Sequence, residues 1–464
     1  MDPQNYLVIG MFVTFIALLF TGFPVAWVLS GVGITFAGIA WMTDNILGWT
    51  MTGLDYNTLG LLVGRIFGIM DNWVLIALPM FIFMGLMLDK SGIAERMMHS
   101  MQKLFGNVRG GLAVTVALIG IILAASTGII GASVVLLGLM SLPVMLKQKY
   151  NKSLALGTIA ASGCLGILIP PSIMLVIMGD QLSIPILDLF MGAVFPGLIL
   201  GFLYIVYILV YCKINPDKAP LAVDHKEATL KDVINALIDI IPPAALIFLV
   251  LGSIFFGIAT VTEASAFGAM GATLIAILYK HYSFDILKEV VIKTMNTSAY
   301  IFAIFVGATI FALILRECGG DALIESGLTG LGLGPYGIII FVLVVVFFLG
   351  FFLDWIEITL IILPLLGPTI SSLNLQINGF GVVDYPNLTW FALLVAVTLQ
   401  TSFLTPPVGF ALFYLKGVCP PSVTLLDIYR GVIPFIVIQL IALVLVFLFP
   451  ELVTWLPSKV FKPL

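Results

Sequence analysis

The sequence predicts an all-α polytopic membrane protein organised as an inverted repeat, with two opposed re-entrant hairpins and two broken helices. Three observations predict it. First, 61% of the 464 residues are hydrophobic and only 9% are charged, with a mean hydropathy of +1.20; lipid must be the main solvent of such a chain. Second, it contains roughly ten to twelve apolar stretches near the 20 residues that a helix needs to cross a bilayer, joined by short polar links. Third, two long apolar tracts carry polar groups at mid-depth, and each is followed by a span interrupted by tandem prolines.

Taken in order, spans are expected near 6–20, 23–42, 73–89, 155–179, 187–211, 242–258, 263–280, 298–315, 389–415 and 431–449. The first lacks a basic flank before it and a small-residue cleavage site after it, so it reads as a retained helix rather than a signal peptide. No soluble module interrupts residues 1–464, which form one transmembrane transport domain. A net charge of −4 without a basic cluster argues against nucleic acid as a partner. Cys164, Cys212, Cys318 and Cys419 are isolated, and His99, His225 and His281 lie far apart in polar links. Neither a disulfide framework nor a metal site other than one for sodium is expected.

The tract Gly111 to Leu146 holds 36 residues without a charge, yet Ala125-Ser126-Thr127-Gly128 at its centre is small and polar. The tract from about Tyr336 to Pro368 has Asp354, Trp355, Glu357 and Thr359 near its middle. Such groups are tolerated at mid-membrane only where protein buries them or water reaches them, so each tract is expected to enter and leave on one face. Lys and Arg concentrate in cytoplasmic links. Lys90, Arg96, Lys103 and Arg109 precede the first tract and Lys147, Lys149 and Lys152 follow it, whereas the second is flanked by Arg316 among Glu317, Asp321 and Glu325, and by no basic residue from Ser371 to Leu415. One hairpin therefore enters from each side. The basic links 213–232 and 280–293 fall inside, and Lys459 and Lys462 are the misfit.

An independent trace of repetition follows each hairpin. GCLGILIPPSIMLVIMG (163–179) answers QTSFLTPPVGFALFYLKG (400–417), and ILDLFMGAVFP (186–196) answers LLDIYRGVIP (425–434), pairing Asp188 with Asp427, Gly192 with Gly431 and Pro196 with Pro434. Repeat 1 is assigned to 60–215, with its hairpin at about 111–146 and broken helix at about 155–179. Repeat 2 is assigned to 285–450, with its hairpin at about 336–368 and broken helix at about 389–415, and scaffold helices occupy 216–284.

Tandem prolines remove two amide donors and clash with the preceding turn, leaving carbonyls unpaired as cation ligands. Ser162, Gly163, Gly166 and Ser172 lie around Pro170-Pro171; Gln400, Thr401, Ser402, Thr405 and Gly409 lie around Pro406-Pro407. Hydroxyl and carbonyl oxygens suit sodium. Half-helix N-termini attract an anionic group, so one architecture can hold sodium and a carboxylate. Asp354 reads either as a ligand or as an acid shaping its hairpin tip. Glu263 reads as a helix-start acid rather than a substrate ligand, and Asp188 and Asp427 as first-turn acids. Met84, Met87, Met97, Met98 and Met101 read as packing. Amphipathic arms are expected at about 91–105 and 284–296.

FIFMGLMLDKSGIAERM (81–97), GCLGILIPPSIM, TVTEASAFGA (260–269), FLDWIEITLIILPL (352–365) and TPPVGFALF (405–413), in this order over nearly the whole chain, resemble the large, DctM-like permease subunit of tripartite ATP-independent periplasmic (TRAP) transporters. The resemblance implies a scaffold with an elevator-type transport domain in a bacterial or archaeal inner membrane, and uptake of a small organic anion coupled to sodium ions with no other cofactor. It also implies a small four-helix membrane subunit and a periplasmic substrate-binding protein as partners. Carried over, Ser126, Thr127, Gly128, Ser162, Gly163, Gly166 and Pro170 would form one sodium site, and Asp354, Thr359, Thr401, Thr405 and Pro406 the other. Substrate would lie between the tips, touching Ser126, Ser172, Trp355, Glu357, Thr401 and Ser402. Many members have an Asp-Met-Thr-Pro-like tip where this chain has Asp354-Trp355-Ile356-Glu357-Ile358-Thr359; similar acidic tips point to an oxo- or hydroxy-monocarboxylate. Three other classes are open: a stand-alone sodium- or proton-coupled carboxylate symporter, a channel, and a membrane enzyme, which would need a nucleophile with a base or a metal cluster at depth.

Overall fold

A computed structural model describes residues 3–128, 130–221, 229–377 and 385–460. Twenty-one helices follow one another, and no strand occurs among the described residues. Ten of these segments are long and apolar enough to cross a membrane.

The chain opens with α1 (Pro3–Leu19), α2 (Val25–Asn45) and α3 (Tyr56–Met70). The last was not expected from the apolar pattern; its signal is the capping box in which Asp55 accepts from Thr58 N at 2.9 Å. Next come α4 (Ala77–Lys90) and α5 (Ile93–Phe105), separated by Gly92 at φ 69°. Met84, Met87, Met97, Met98 and Met101 are buried, which is the packing reading. The first apolar tract is the pair α6 (Gly111–Thr127) and α7 (Ile130–Lys147). The span after it is broken into α8 (Lys152–Cys164) and α9 (Ile173–Leu182), and α10 (Ile186–Ile214) completes the first half.

Between the halves lie α11 (Leu230–Phe255) and α12 (Val261–Leu278). Glu263 begins α12, its carboxylate accepting from Thr260 N at 2.8 Å, in keeping with a helix-start acid. The second half runs α13 (Phe284–Glu317), α14 (Gly320–Gly330), α15 (Pro335–Leu349), α16 (Trp355–Glu357), a π-helical turn (Ile358–Ile362), α17 (Leu363–Ser372), then α18 (Pro386–Leu404), α19 (Phe410–Val418), α20 (Leu425–Leu448) and α21 (Glu451–Val460).

The arm expected at 284–296 is corrected here. Those residues are the first turns of the unbroken 34-residue α13, because nothing from Phe284 to Glu317 stops a helix. The helix that answers α5 is α14, which likewise follows a left-handed glycine, Gly319 at φ 83°, and turns through 118° into α15.

Small residues set the closest crossings. In one layer α2 packs along α13, and α4 along α12, with α11 and α5 beside them; a Cβ on Gly307 of α13 would lie 2.6 Å from the Ala26 carbonyl of α2. In the other layer α8 crosses α20 at backbone contact. A Cβ on Gly157 would lie 2.0 Å from the Gly431 carbonyl, and one on Gly431 would lie 2.1 Å from the Ser153 carbonyl. Each added methyl would meet rigid backbone, so Gly157→Ala should destabilise the protein by about 2 kcal/mol or more, read as a lower midpoint of thermal unfolding in nanodiscs, while Gly327→Ala, on open surface, should leave that midpoint within error.

Candidate functional site

The first break forms because α8, at 13 residues, reaches only about 20 Å before Pro170 and Pro171 end it. A 3-10 turn spans Leu165–Ile167, the Pro170-Pro171 bond is cis, and the Ser172 hydroxyl donates to the Ile167 carbonyl at 2.6 Å. Helix α9 restarts at Ile173. The hairpin clamps this break. A Cβ on Gly120 of α6 would lie 2.5 Å from Ser162 Cβ, and a Cβ on Gly163 would lie 2.5 Å from a Val134 methyl of α7. At the tip, Gly128 sits at φ 59° with its α-carbon turned to the first amide of α9; an added Cβ would stand 3.3 Å from Ile173 N. The tip backbone therefore lies against a half-helix N-terminus. Ser126 and Thr127 end α6, and their side chains fall outside the described residues. Ser162 and Thr158, one turn apart and wholly buried, each have a hydroxyl without a hydrogen-bond partner among the described residues.

The second break answers the first. Helix α18 ends at Leu404, the Pro406-Pro407 bond is cis, and α19 restarts after Gly409. Thr401 donates to the Val397 carbonyl at 2.8 Å, and Thr405 to the Thr401 carbonyl at 2.7 Å. These bonds use the protons and leave oxygen lone pairs for a cation. Ser402 donates to the Phe347 carbonyl at 2.9 Å, tying the break to the last turn of α15. At the tip Asp354 accepts from Trp355 N at 2.8 Å and caps α16, so the tip-shaping reading describes one of its oxygens. The π turn then carries Thr359 inward, fully buried. Thr359 Oγ1, Glu357 Oε2 and both amide atoms of the wholly buried Gln400 have no hydrogen-bond partner among the described residues. Buried polar atoms in a low-dielectric interior are seldom left so.

The two assemblies are interlocked. Helix α9, beyond the first break, packs on the π turn and α17 of the second hairpin; α19, beyond the second break, packs on α7 of the first. Tyr414 of α19 bridges the tips, its ring lying 3.0 Å from the Cβ position of Gly131 and within electrostatic reach of Asp354 and Glu357. Tyr300 of α13 lies within electrostatic reach of the same two carboxylates. Residues from both halves thus converge, and Trp355, Glu357, Thr401 and Ser402 share the second assembly. Ser172 and Ser402 already donate their protons to backbone carbonyls, which leaves them acceptors. Tyr300, Tyr414 and Thr158 were not foreseen. No sequence pattern marks the tyrosines, since what places them is packing between distant helices; Thr158 sits one turn before Ser162 on the same face and was readable from that spacing.

Residues 12–452 match the sequence profile of a family described as tripartite ATP-independent periplasmic transporter, DctM component. The chain is 28% identical to the C4-dicarboxylate TRAP transporter large permease protein DctM of Vibrio cholerae, covering 98% of each chain. It is 27% identical to the sialic acid TRAP transporter large permease protein SiaM of the same organism, over 97% of this chain and 98% of the relative. Among solved structures, that of the Alcanivorax borkumensis YdaH transporter superposes with a TM-score of 0.59 at 12% identity, covering 97% of this chain and 98% of that one, a likeness of fold alone.

The left-handed tip gives a direct check of this geometry. Gly128→Ala should lose about 1–2 kcal/mol from the αL conformation, with contact at Ile173 added, whereas Gly417→Ala, at open surface, should lose far less; thermal unfolding of the two variants measures the difference.

Proposed function

The chain belongs to the DctM component family of tripartite ATP-independent periplasmic transporters, and we propose that within that family it imports a small organic carboxylate coupled to sodium. It is a multi-pass protein of the inner membrane and the large permease subunit of its transporter. The sodium reading rests on buried oxygens without hydrogen-bond partners among the described residues, those of Ser162 and Thr158 on α8, of Gln400 on α18 and of Thr359 on the second tip, together with the acceptor oxygens of Thr401 and Thr405. Neutral oxygens in this number suit a hard monovalent cation, and Asp354 adds a charge at the second site. The first ion would use Gly128, Ser162, Gly163, Gly166 and Pro170 with the tip residues Ser126 and Thr127; the second would use Asp354, Thr359, Thr401, Thr405 and Pro406.

Each ion would draw a tip onto its break, and the N-terminus of α9 would then face the anion. Coupling follows because an unfilled site leaves the anion site incomplete. The two relatives named above are called C4-dicarboxylate and sialic acid permeases; the acidic tip with Trp355 and Glu357 favours an oxo- or hydroxy-monocarboxylate here. We assign alternating access to an elevator movement of α6–α10 and α15–α21 against α1–α5 and α11–α14. A small four-helix membrane subunit would complete the scaffold, and a periplasmic binding protein would deliver the substrate.

Uptake into proteoliposomes containing this chain and its small subunit should require both the binding protein and an inward sodium gradient. Thr405→Val should raise the half-saturating sodium concentration roughly tenfold, the loss of one cation ligand. Uptake without the binding protein would favour a stand-alone symporter, and an unchanged sodium dependence in Thr405→Val would remove the second site from its assigned place.

A further inference from the structure

Alongside the second hairpin, α15, α18 and α20 leave a groove of about 440 Å³ between them, lined by α15 from Ile340 to Phe347, by Thr398 and Thr401 of α18, and by α20 from Leu440 to Leu448. No lining residue is charged. Thr398 and Thr401 donate their hydroxyl protons to the Leu394 and Val397 carbonyls one turn back, both at 2.8 Å, so the groove offers an anion neither a charge nor a donor. The rim residues Ile340, Val344, Val444 and Leu448 are each about half exposed, whereas Thr398 and Thr401 at the floor are buried.

The groove runs from the membrane interface to mid-depth. Its mouth lies at the start of α15 and the end of α20, where the rings of Tyr336, Trp390 and Phe447 meet with centroids 5.4–6.4 Å apart; aromatic side chains of this kind gather at headgroup level. Its inner end is formed by Phe347 and Thr401, beside the second break. From Ile340 to Phe347 the helix rises about 10 Å, which is about two-thirds of the roughly 15 Å of hydrocarbon in one leaflet. At the corresponding place in the first half the helices meet: α6 packs on α10, where a Cβ on Gly201 would lie 2.8 Å from an Ile121 methyl. Helix α20 has no glycine beyond Gly431, so α15 cannot close on it in that way.

We propose that this groove binds one acyl chain of a phospholipid in the leaflet from which the second hairpin enters. The surrounding bilayer presents acyl chains at this depth, and a chain lying there completes the apolar wall that α15 and α20 leave open. It rests against Phe347, whose carbonyl accepts from Ser402, and so abuts the tie between hairpin and break. The inference is independent of the transported anion and of its coupling ion.

The experiment is photo-crosslinking in nanodiscs, with and without the small membrane subunit, using phosphatidylcholine that carries a diazirine at mid-chain, followed by peptide mapping by mass spectrometry. Adducts should form on residues 398–401, which annular lipid cannot touch because α18 is buried from Leu388 to Leu404. Phe248 of α11, 74% exposed, reports annular labelling. Leu343→Phe and Leu443→Trp fill the groove from opposite walls, and each should lower the ratio of adducts at 398–401 to adducts at Phe248 by about tenfold or more, one order of magnitude in affinity. Moving the diazirine next to the glycerol ester should shift adducts toward Tyr336 and Phe447, a comparison that needs no variant. Labelling of Phe248 without 398–401, adducts at 398–401 that survive both fillings in monodisperse protein, or adducts indifferent to the depth of the diazirine would overturn the site. Their loss on adding the small subunit would also overturn it, by giving the groove to a protein helix.

Discussion

The whole architecture depends on one constraint: backbone groups freed inside a membrane must be satisfied by protein, because lipid offers no hydrogen bonds. Tandem prolines free such groups at mid-depth in α8–α9 and in α18–α19. Each break is wrapped by its own hairpin, at Gly120, Gly163 and Gly128 for the first and through Ser402 to Phe347 for the second. Hydroxyls complete the arrangement by donating inward to carbonyls, as Ser172, Thr401 and Thr405 do. The hairpins, the small residues and the hydroxyls are all answers to the same deficit, and the oxygens gathered by those answers are also what a cation would seek.

Energetically the result is uneven. Away from the breaks, helices are joined by close apolar contact at residues such as Gly307 against Ala26 and Gly157 against Gly431, where an added methyl meets backbone. Thr359 and Glu357 at the second tip, and Ser162 and Gln400 on the broken helices, keep polar atoms without partners among the described residues, as Thr115, Tyr204 and Gln439 do elsewhere.

The spans, both hairpins and both breaks were legible because each carries a local signature: apolar length, charge-poor tracts with polar centres, and paired prolines. Helix α3 escaped because its glycines and Arg65 dilute the apolar signal and only the Asp55 cap marks it. The supposed arm at 284–296 was misplaced because its charged residues, Asp285 to Lys293, read as a surface element although they continue into α13. Around the site, Ser162, Thr401, Asp354 and Thr359 could be found from their distance to a proline pair or their depth in a tract. Tyr300 and Tyr414 could not, since each is brought to the carboxylates by a helix from elsewhere in the chain. Pairing across layers leaves no periodic trace in sequence.

The crossing of α9 onto the second hairpin and of α19 onto the first has a consequence for origins. Either half taken alone would lose the opposite hairpin from the far segment of its broken helix, α9 keeping only α4 and α10 beside it and α19 only α18 and α20. The half becomes complete only beside a second copy turned upside down. Two copies of one polypeptide inserted in opposite orientations and paired antiparallel would give this interlocking before any fusion. The opposite charge bias now seen around the two hairpins is what fusion made possible, since each copy was thereafter free to fix its own orientation.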